Sequence, residues 1–346
     1  MKFLSLKNLI VSLLVLFCIA AGAAYWLYNK AYAPNVNLDT NTAHIYVNSE
    51  TDYNALLGDL DKSGYLKNVS SFKWTAEKMK LPQLLKPGKY ELKHGMNNRE
   101  LVSLLRLGIQ LPVNLILKPI RSKEQIAALA STYLEPDSLA FLTLLNDNEY
   151  INELGYNSET MLSMFVPNTY QFNWNTSAED FFGRMKKECD AFWTEEKLEK
   201  AKSIGLNKLQ VSTMASIVEK ETSKSDEKAT VAGVYMNRLN KGMRLQADPT
   251  LIFALNDFEI RRVLNKHKLV DSPYNTYKHV GLPPGPICSP SISSINAVLD
   301  YDKHDFLFFC AKEDFSGYHN FAKTYSQHIN NAKKFQRELD KRNIRS

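Results

Sequence analysis

At 346 residues the chain has room for two folded domains besides a targeting segment. Its 44% hydrophobic and 23% charged residues exclude a disordered or fibrous polymer. The formal net charge of +6 comes from Lys and Arg scattered along the chain, which gives no basic groove of the kind that binds nucleic acid.

The first element is apolar. Leu9 to Tyr28 contains no charged residue, and a helix needs ~20 residues to cross a bilayer. Lys2 and Lys7 precede the run, while Tyr25, Trp26 and Tyr28 close it like an interfacial aromatic belt. This pattern predicts an anchor in residues 1–30, with the N-terminus in the cytoplasm and the rest exported. A cleaved signal peptide is the competing reading, but the apolar stretch is long and aromatics follow Ala20 to Ala24. Phe17 before Cys18 is too bulky for lipoprotein processing. Cys189, Cys288 and Cys310 show no metal-ligand spacing and are expected as buried small apolar residues.

Residues 31–42 are polar and aperiodic, as in a linker. Beyond them, His44 to Val47 reads as a strand and Tyr53 to Leu60 as a helix. Lys86 to Lys89 is a turn, and Tyr90 to Leu92 is a strand. Asn97 and Glu100 form a capping-box pair for a helix that Gly108 stops. Val113 to Leu117 is a further strand. Residues 43–150 are therefore expected as a small α/β subdomain resembling a LysM module, with a plain spacer as the other reading. Residues 151–346 are helix-richer and are expected as a mixed α+β catalytic domain, so the fold class is α+β.

Val211, Met214, Ala215 and Val218 recur at helical spacing, predicting a buried helix over 208–221. Ser225 is placed to cap a second helix holding Val231, Val234, Tyr235 and Leu239. Glu219 and Glu221 fall in the last turn of the first helix, where the dipole disfavours negative charge. With partial burial, both carboxyls are expected to hold a proton near neutral pH, as a general acid must. Ordinary helix-end glutamates paired with Lys220 or Lys224 are the alternative. On the helical wheel Glu221 lies in the apolar arc with Ile217 and Met214. Glu219 lies beside Ser212, Ala215 and Ser216.

Several ordered blocks resemble the YceG-like family of endolytic murein transglycosylases. They are Pro167 to Phe172, Ala215 to Thr222, Met236 to Leu239, Gly242 to Thr250, Ser272 to Tyr277 and Gly281 to Ile287. His319-Asn320-Phe321 and Thr324 with His328 complete the set. Two positions depart from the family pattern: Gln327, where an acid is usual, and Lys118-Pro119-Ile120 in place of Pro-Glu-Gly.

The resemblance implies Glu219 as the catalytic acid, with Glu221 a carboxylate of the binding site held by Arg238 or another polar partner. Gln246, Asp248, Asn275, Tyr277 and His319 are expected to hydrogen-bond sugar hydroxyls and N-acetyl groups. Tyr170 and Tyr274 offer stacking faces, and Pro283 to Pro286 a rigid cleft wall. The implied reaction cuts the MurNAc–GlcNAc bond of peptidoglycan strands and leaves 1,6-anhydro ends, without cofactor or metal. Penicillin-binding synthases are the implied partners, beside the cytoplasmic membrane. A hydrolase using Asp248 as a second carboxylate and a non-catalytic wall-binding scaffold are the rival readings.

Overall fold

The computed structural model describes residues 6–260 and 262–342. Lys2, one of the two cations ahead of the apolar run, lies outside the described residues. The chain forms two compact units. The first runs to Asn114 and takes in Tyr133–Glu135 and Gln171–Thr176; the second contains Leu115–Thr132, Pro136–Tyr170 and the chain from Ser177.

In the first unit, α1 (Leu6–Tyr32) is long and apolar enough to cross a membrane. Residues 7–28 are exposed throughout, and the last turn is half-buried. The segment expected as a linker is built into this unit instead. Val36 is fully buried, and the amides of Asn35 and Val36 both donate to the Met96 carbonyl at 3.1 and 2.9 Å. The Asn35 side chain accepts from the Asn68 amide at 2.8 Å and donates to Asn98 Oδ1 at 2.7 Å. Apolar Val36 and Leu38 gain burial there that a solvated tether would not give them.

β1 (Thr42–Val47) pairs antiparallel with β2 (Gly88–Lys93), with Ile45 opposite Tyr90. Between them lie α2 (Tyr53–Lys62), α3 (Val69–Lys78) and the short α4 (Leu81–Leu84). α5 (Asn98–Leu107) starts at the expected Asn97/Glu100 capping box and ends at Gly108, whose φ of 71° is left-handed. Leu60, Phe72, Tyr90, Leu92, Leu101 and Leu105 fill the core between sheet and helices. β3 (Val113–Ile116) and β4 (Thr169–Phe172) form a second two-stranded sheet.

The first unit ends well before residue 150. α6 (Lys123–Tyr133), α7 (Ser138–Asn146) and α8 (Asn148–Glu153) belong almost entirely to the second unit. The reason is an aromatic cluster: Phe141 of α7 meets Phe181 and Phe182 of α9 (Ala178–Phe192) edge-on, with ring centroids 5.4 and 6.1 Å apart. α10 (Glu195–Ser203) leads to α11 (Lys208–Glu221), which starts at an Asn207/Gln210 capping box. Every residue from Val211 to Val218 is buried, so α11 is the central helix of this unit. Packed against it are α12 (Lys228–Asn240), α13 (Asp248–Leu255) and α14 (Ile292–Leu299). The hairpin of β5 (Phe308–Ala311) and β6 (His319–Ala322) and the final α15 (Tyr325–Lys341) complete it.

Ser225 does not cap α12; Glu227 stands at that position without a side-chain cap bond. Thr222 organises the turn instead, accepting from the Lys224 amide at 3.1 Å and donating to Glu227 Oε2 at 3.2 Å. Cys189 and Cys288 are buried as expected, whereas Cys310 is half-buried.

Candidate active site

The buried run of α11 stops at Val218, one turn before the helix ends, so its last turn delivers two carboxylates to different surroundings. Glu221 lies on the wall of a cavity of about 290 Å³ formed by α11, α12, the Leu245–Asp248 segment, Tyr277, β5 and α15. Tyr235, one α12 turn before Leu239, donates its hydroxyl to Glu221 Oε1 at 2.5 Å. Burial pushes the Glu221 carboxyl up to about 7. The Tyr235 hydrogen bond opposes this, the Asp248 charge reinforces it, and the nearby Arg238 charge again opposes it. The group therefore holds a proton close to neutral pH.

Glu219, two residues earlier and so on nearly the opposite face of α11, is differently placed. Its Oε2 accepts from Lys228 Nζ at 2.9 Å, from Ser294 Oγ at 2.5 Å and from Ser291 Oγ. Burial alone raises its carboxyl, but the Ser291, Ser294 and Lys228 hydrogen bonds and the lysine charge outweigh it, leaving the group below its ordinary value. The expectation that both helix-end carboxyls are raised thus fails for Glu219, because a buried lysine and two serines stabilise its charge more than the helix dipole disfavours it. Glu219 is not among the residues lining the cavity.

Arg238 shapes the cavity floor. Its Nε donates to the Leu307 carbonyl at 2.6 Å, and Nη1 to the Leu245 carbonyl at 2.9 Å and the Arg244 carbonyl at 3.2 Å. Nη1 also reaches Gln246 Oε1 at 3.3 Å. Gln246 has a left-handed φ of 54°, held by these contacts and by its amide's bond to the Thr276 carbonyl at 3.1 Å. Asp248 opens α13, where a helix N-terminus favours a carboxylate, and accepts from Tyr277 Oη at 2.5 Å. Glu221, Gln246, Asp248 and Tyr277, four of the expected residues, thus converge on one cavity.

The other expected residues do not line it. Asn275 is fully buried and spends its amide on the Lys268 and Val270 carbonyls at 3.0 and 2.8 Å, which makes it a turn-builder. His319 binds Glu227 through Nδ1 at 2.7 Å and through its backbone amide at 2.8 Å. Tyr170 is buried and donates to the Val166 carbonyl at 2.6 Å. Tyr274 is buried against Phe253. Tyr235, Phe308, Phe309, Tyr325 and His328 line the cavity without having been singled out as site residues. His328 stood in a recognised block and Tyr235 in a predicted helix, so both were within reach.

Of the two departures from the family pattern, Gln327 has a local explanation. Gln327 forms a capping box with Thr324 at the start of α15, accepting from the Thr324 amide at 3.2 Å, a role in which Gln serves as well as an acid. Ile120 exchanges hydrogen bonds with Ser289, its amide donating to Ser289 Oγ at 2.8 Å.

A carboxyl raised to about 7 beside a second carboxylate, in a cavity walled by tyrosines and an arginine, brings together the groups that acid–base chemistry uses, on an α+β scaffold. Residues 45–334 match the YceG-like family, and the chain belongs to it. The chain is 33% identical over 325 residues to an endolytic murein transglycosylase of Bacillus subtilis, covering 89% of this chain and 88% of that one. An endolytic murein transglycosylase of Streptococcus pneumoniae is 26% identical over 344 residues, and the match spans 61% of its length. A crystal structure of a YceG-like protein from Listeria monocytogenes superposes with a TM-score of 0.57 at 29% identity, covering 84% of this chain and 98% of that one.

Proposed function

We propose that this chain is a membrane-anchored endolytic transglycosylase of peptidoglycan in which Glu221, rather than Glu219, is the general acid. The observation that carries the assignment is a carboxyl held at about 7 on the wall of a polar cavity, while its neighbour is ion-paired and kept charged. Glu221 protonates the oxygen linking MurNAc C1 to GlcNAc as the C1–O bond breaks. The resulting carboxylate then takes the proton of the MurNAc C6 hydroxyl as O6 bonds to C1, closing a 1,6-anhydro ring and restoring the acid. One carboxyl serves both steps, because the substrate supplies the nucleophile. Tyr235 orients that carboxyl, and Arg238 holds the Leu245–Gln246 wall against which the sugar binds.

Asp248 sharing the cavity favours one second reading, hydrolysis with Asp248 activating water. Mass spectrometry of glycan strands digested by the full chain separates them: anhydro ends are expected, and reducing ends would move the assignment to a hydrolase.

The exposed apolar α1 supports a single-pass anchor with the catalytic unit outside the cytoplasmic membrane. A LysM-like glycan contact in the first unit is proposed from its antiparallel β1–β2 pair, with α2, α3 and the short α4 between the strands. Nascent strands are the substrate and penicillin-binding synthases the partners that such a location suits, with strand termination as the outcome.

A further inference from the structure

We infer that the first unit is seated directly on the bilayer, its α3 and α5 ends lying in the outer headgroup layer as part of one aromatic–basic collar with α1. The inference rests on reading α1 as a membrane anchor.

The register follows from length. Leu9 to Tyr28, rising ~1.5 Å per residue, spans about 30 Å, the thickness of the hydrocarbon layer. Asn29 to Tyr32 then emerge at headgroup level, and there Asn29, Lys30 and Ala31 become half-buried against their own unit. The junction is rigid. The Lys30 carbonyl, which a helix end leaves without a backbone partner, accepts from Asn98 Nδ2 at 2.8 Å and Thr75 Oγ1 at 3.2 Å. Asn98 and Thr75 are 1% and 2% exposed, and Asn98 is held in turn by Ser71 and Asn35. Two residues beyond the end of α1, Pro34 is already bridged to Asn97. No free tether separates the apolar helix from the folded unit.

At that level the unit presents the side chains a headgroup layer selects. Lys30 Nζ lies over the Trp26 ring at 3.8 Å and the Trp74 ring of α3 at 5.4 Å. Arg99 of α5 donates to Tyr32 Oη at 2.8 Å, with its guanidinium over that ring, and Tyr28 stacks on Tyr32 at 4.5 Å. Indole and phenol rings with adjoining cations match the chemistry of glycerol and phosphate groups. Trp74 and Arg99 come from the folded unit, so the unit itself touches lipid.

The test uses the full chain in phosphatidylethanolamine–phosphatidylglycerol vesicles with acyl chains brominated near the glycerol. One variant keeps only Trp74 (Trp26→Phe, Trp174→Phe, Trp193→Phe), and a second keeps only Trp26. Quenching of both tryptophans is expected, and a flexible Gly–Ser insertion between Tyr28 and Asn29, ahead of the docked Lys30 turn, should abolish it for Trp74 alone. Quenching of Trp26 without Trp74 overturns the seating while leaving the anchor intact; quenching of neither removes the anchor. Quenching of Trp74 that survives the insertion overturns the rigid junction. Should the triple substitution unfold the chain, comparing wild type with Trp74→Phe gives the same reading from the quenchable fraction.

Discussion

Replacing Glu221 by Gln keeps the shape of the side chain and its bond to Tyr235 but removes the mobile proton. If that proton drives both bond cleavage and ring closure, release of anhydro-muropeptides should fall by about 10²–10⁴-fold. The same substitution has a signature in stability. Holding the carboxyl at about 7 rather than 4.5 disfavours its charged form by about 3 kcal/mol. The folded-state value lies above the unfolded one, so between those two pH values the folded chain binds the extra proton and wild type loses stability as pH rises. Glu221→Gln has no such group. Its melting temperature should match wild type near pH 4.5 and exceed it by several degrees above pH 7.5, where the wild-type charge is uncompensated. Near-normal turnover in Glu221→Gln would refute the catalytic assignment, and parallel stability curves for the two proteins would refute the electrostatic one.

Glu219→Gln should act in the opposite way, retaining turnover in the folded fraction but costing roughly 3 kcal/mol, because Lys228 is left as a buried unpaired charge. Thermal melts of Glu219→Gln with Lys228→Met should then show much of that loss restored. Tyr235→Phe removes a hydrogen bond that holds the Glu221 carboxyl down, so the neutral limb of the pH–rate profile should move to higher pH. A chain starting at residue 151 lacks Phe141, a fully buried member of the Phe165–Phe181–Phe182 cluster, and circular dichroism should find it unfolded or molten. Carbonate-washed membranes should retain the full-length protein; recovery of a form lacking residues 1–24 would contradict the anchor.

What the sequence made legible was whatever rests on local pattern. The 208–221 helix was readable from its apolar spacing and the α5 caps from Asn97, Glu100 and Gly108, and all of these stand in the structure. The helical wheel also set the two glutamates on different faces, with Glu221 in the Met214–Ile217 arc and Glu219 beside the small residues. The serine hydrogen bonds that help Lys228 fix Glu219 were not readable, because Ser291 and Ser294 lie more than seventy positions away and only the fold brings them to α11. The same holds for residues 31–42, whose polarity suggested a tether but whose partners are Tyr65 and Met96. The domain boundary was misjudged for a similar reason, because the rings that claim Phe141, those of Phe181 and Phe182, follow it by 40 and 41 residues. Asn275, His319, Tyr170 and Tyr274 were expected as cleft liners from their place in the family-like blocks, and each has a partner within the fold.

The central claim is that one carboxyl cleaves the strand and the substrate's own hydroxyl closes the product, with no water consumed. Digestion of defined glycan strands in heavy-oxygen water tests it most directly, with the new MurNAc ends examined by mass spectrometry. The expected result is unlabelled 1,6-anhydro ends from wild type and almost none from Glu221→Gln. Labelled reducing ends from wild type would contradict it, since water rather than the C6 hydroxyl would then have attacked C1.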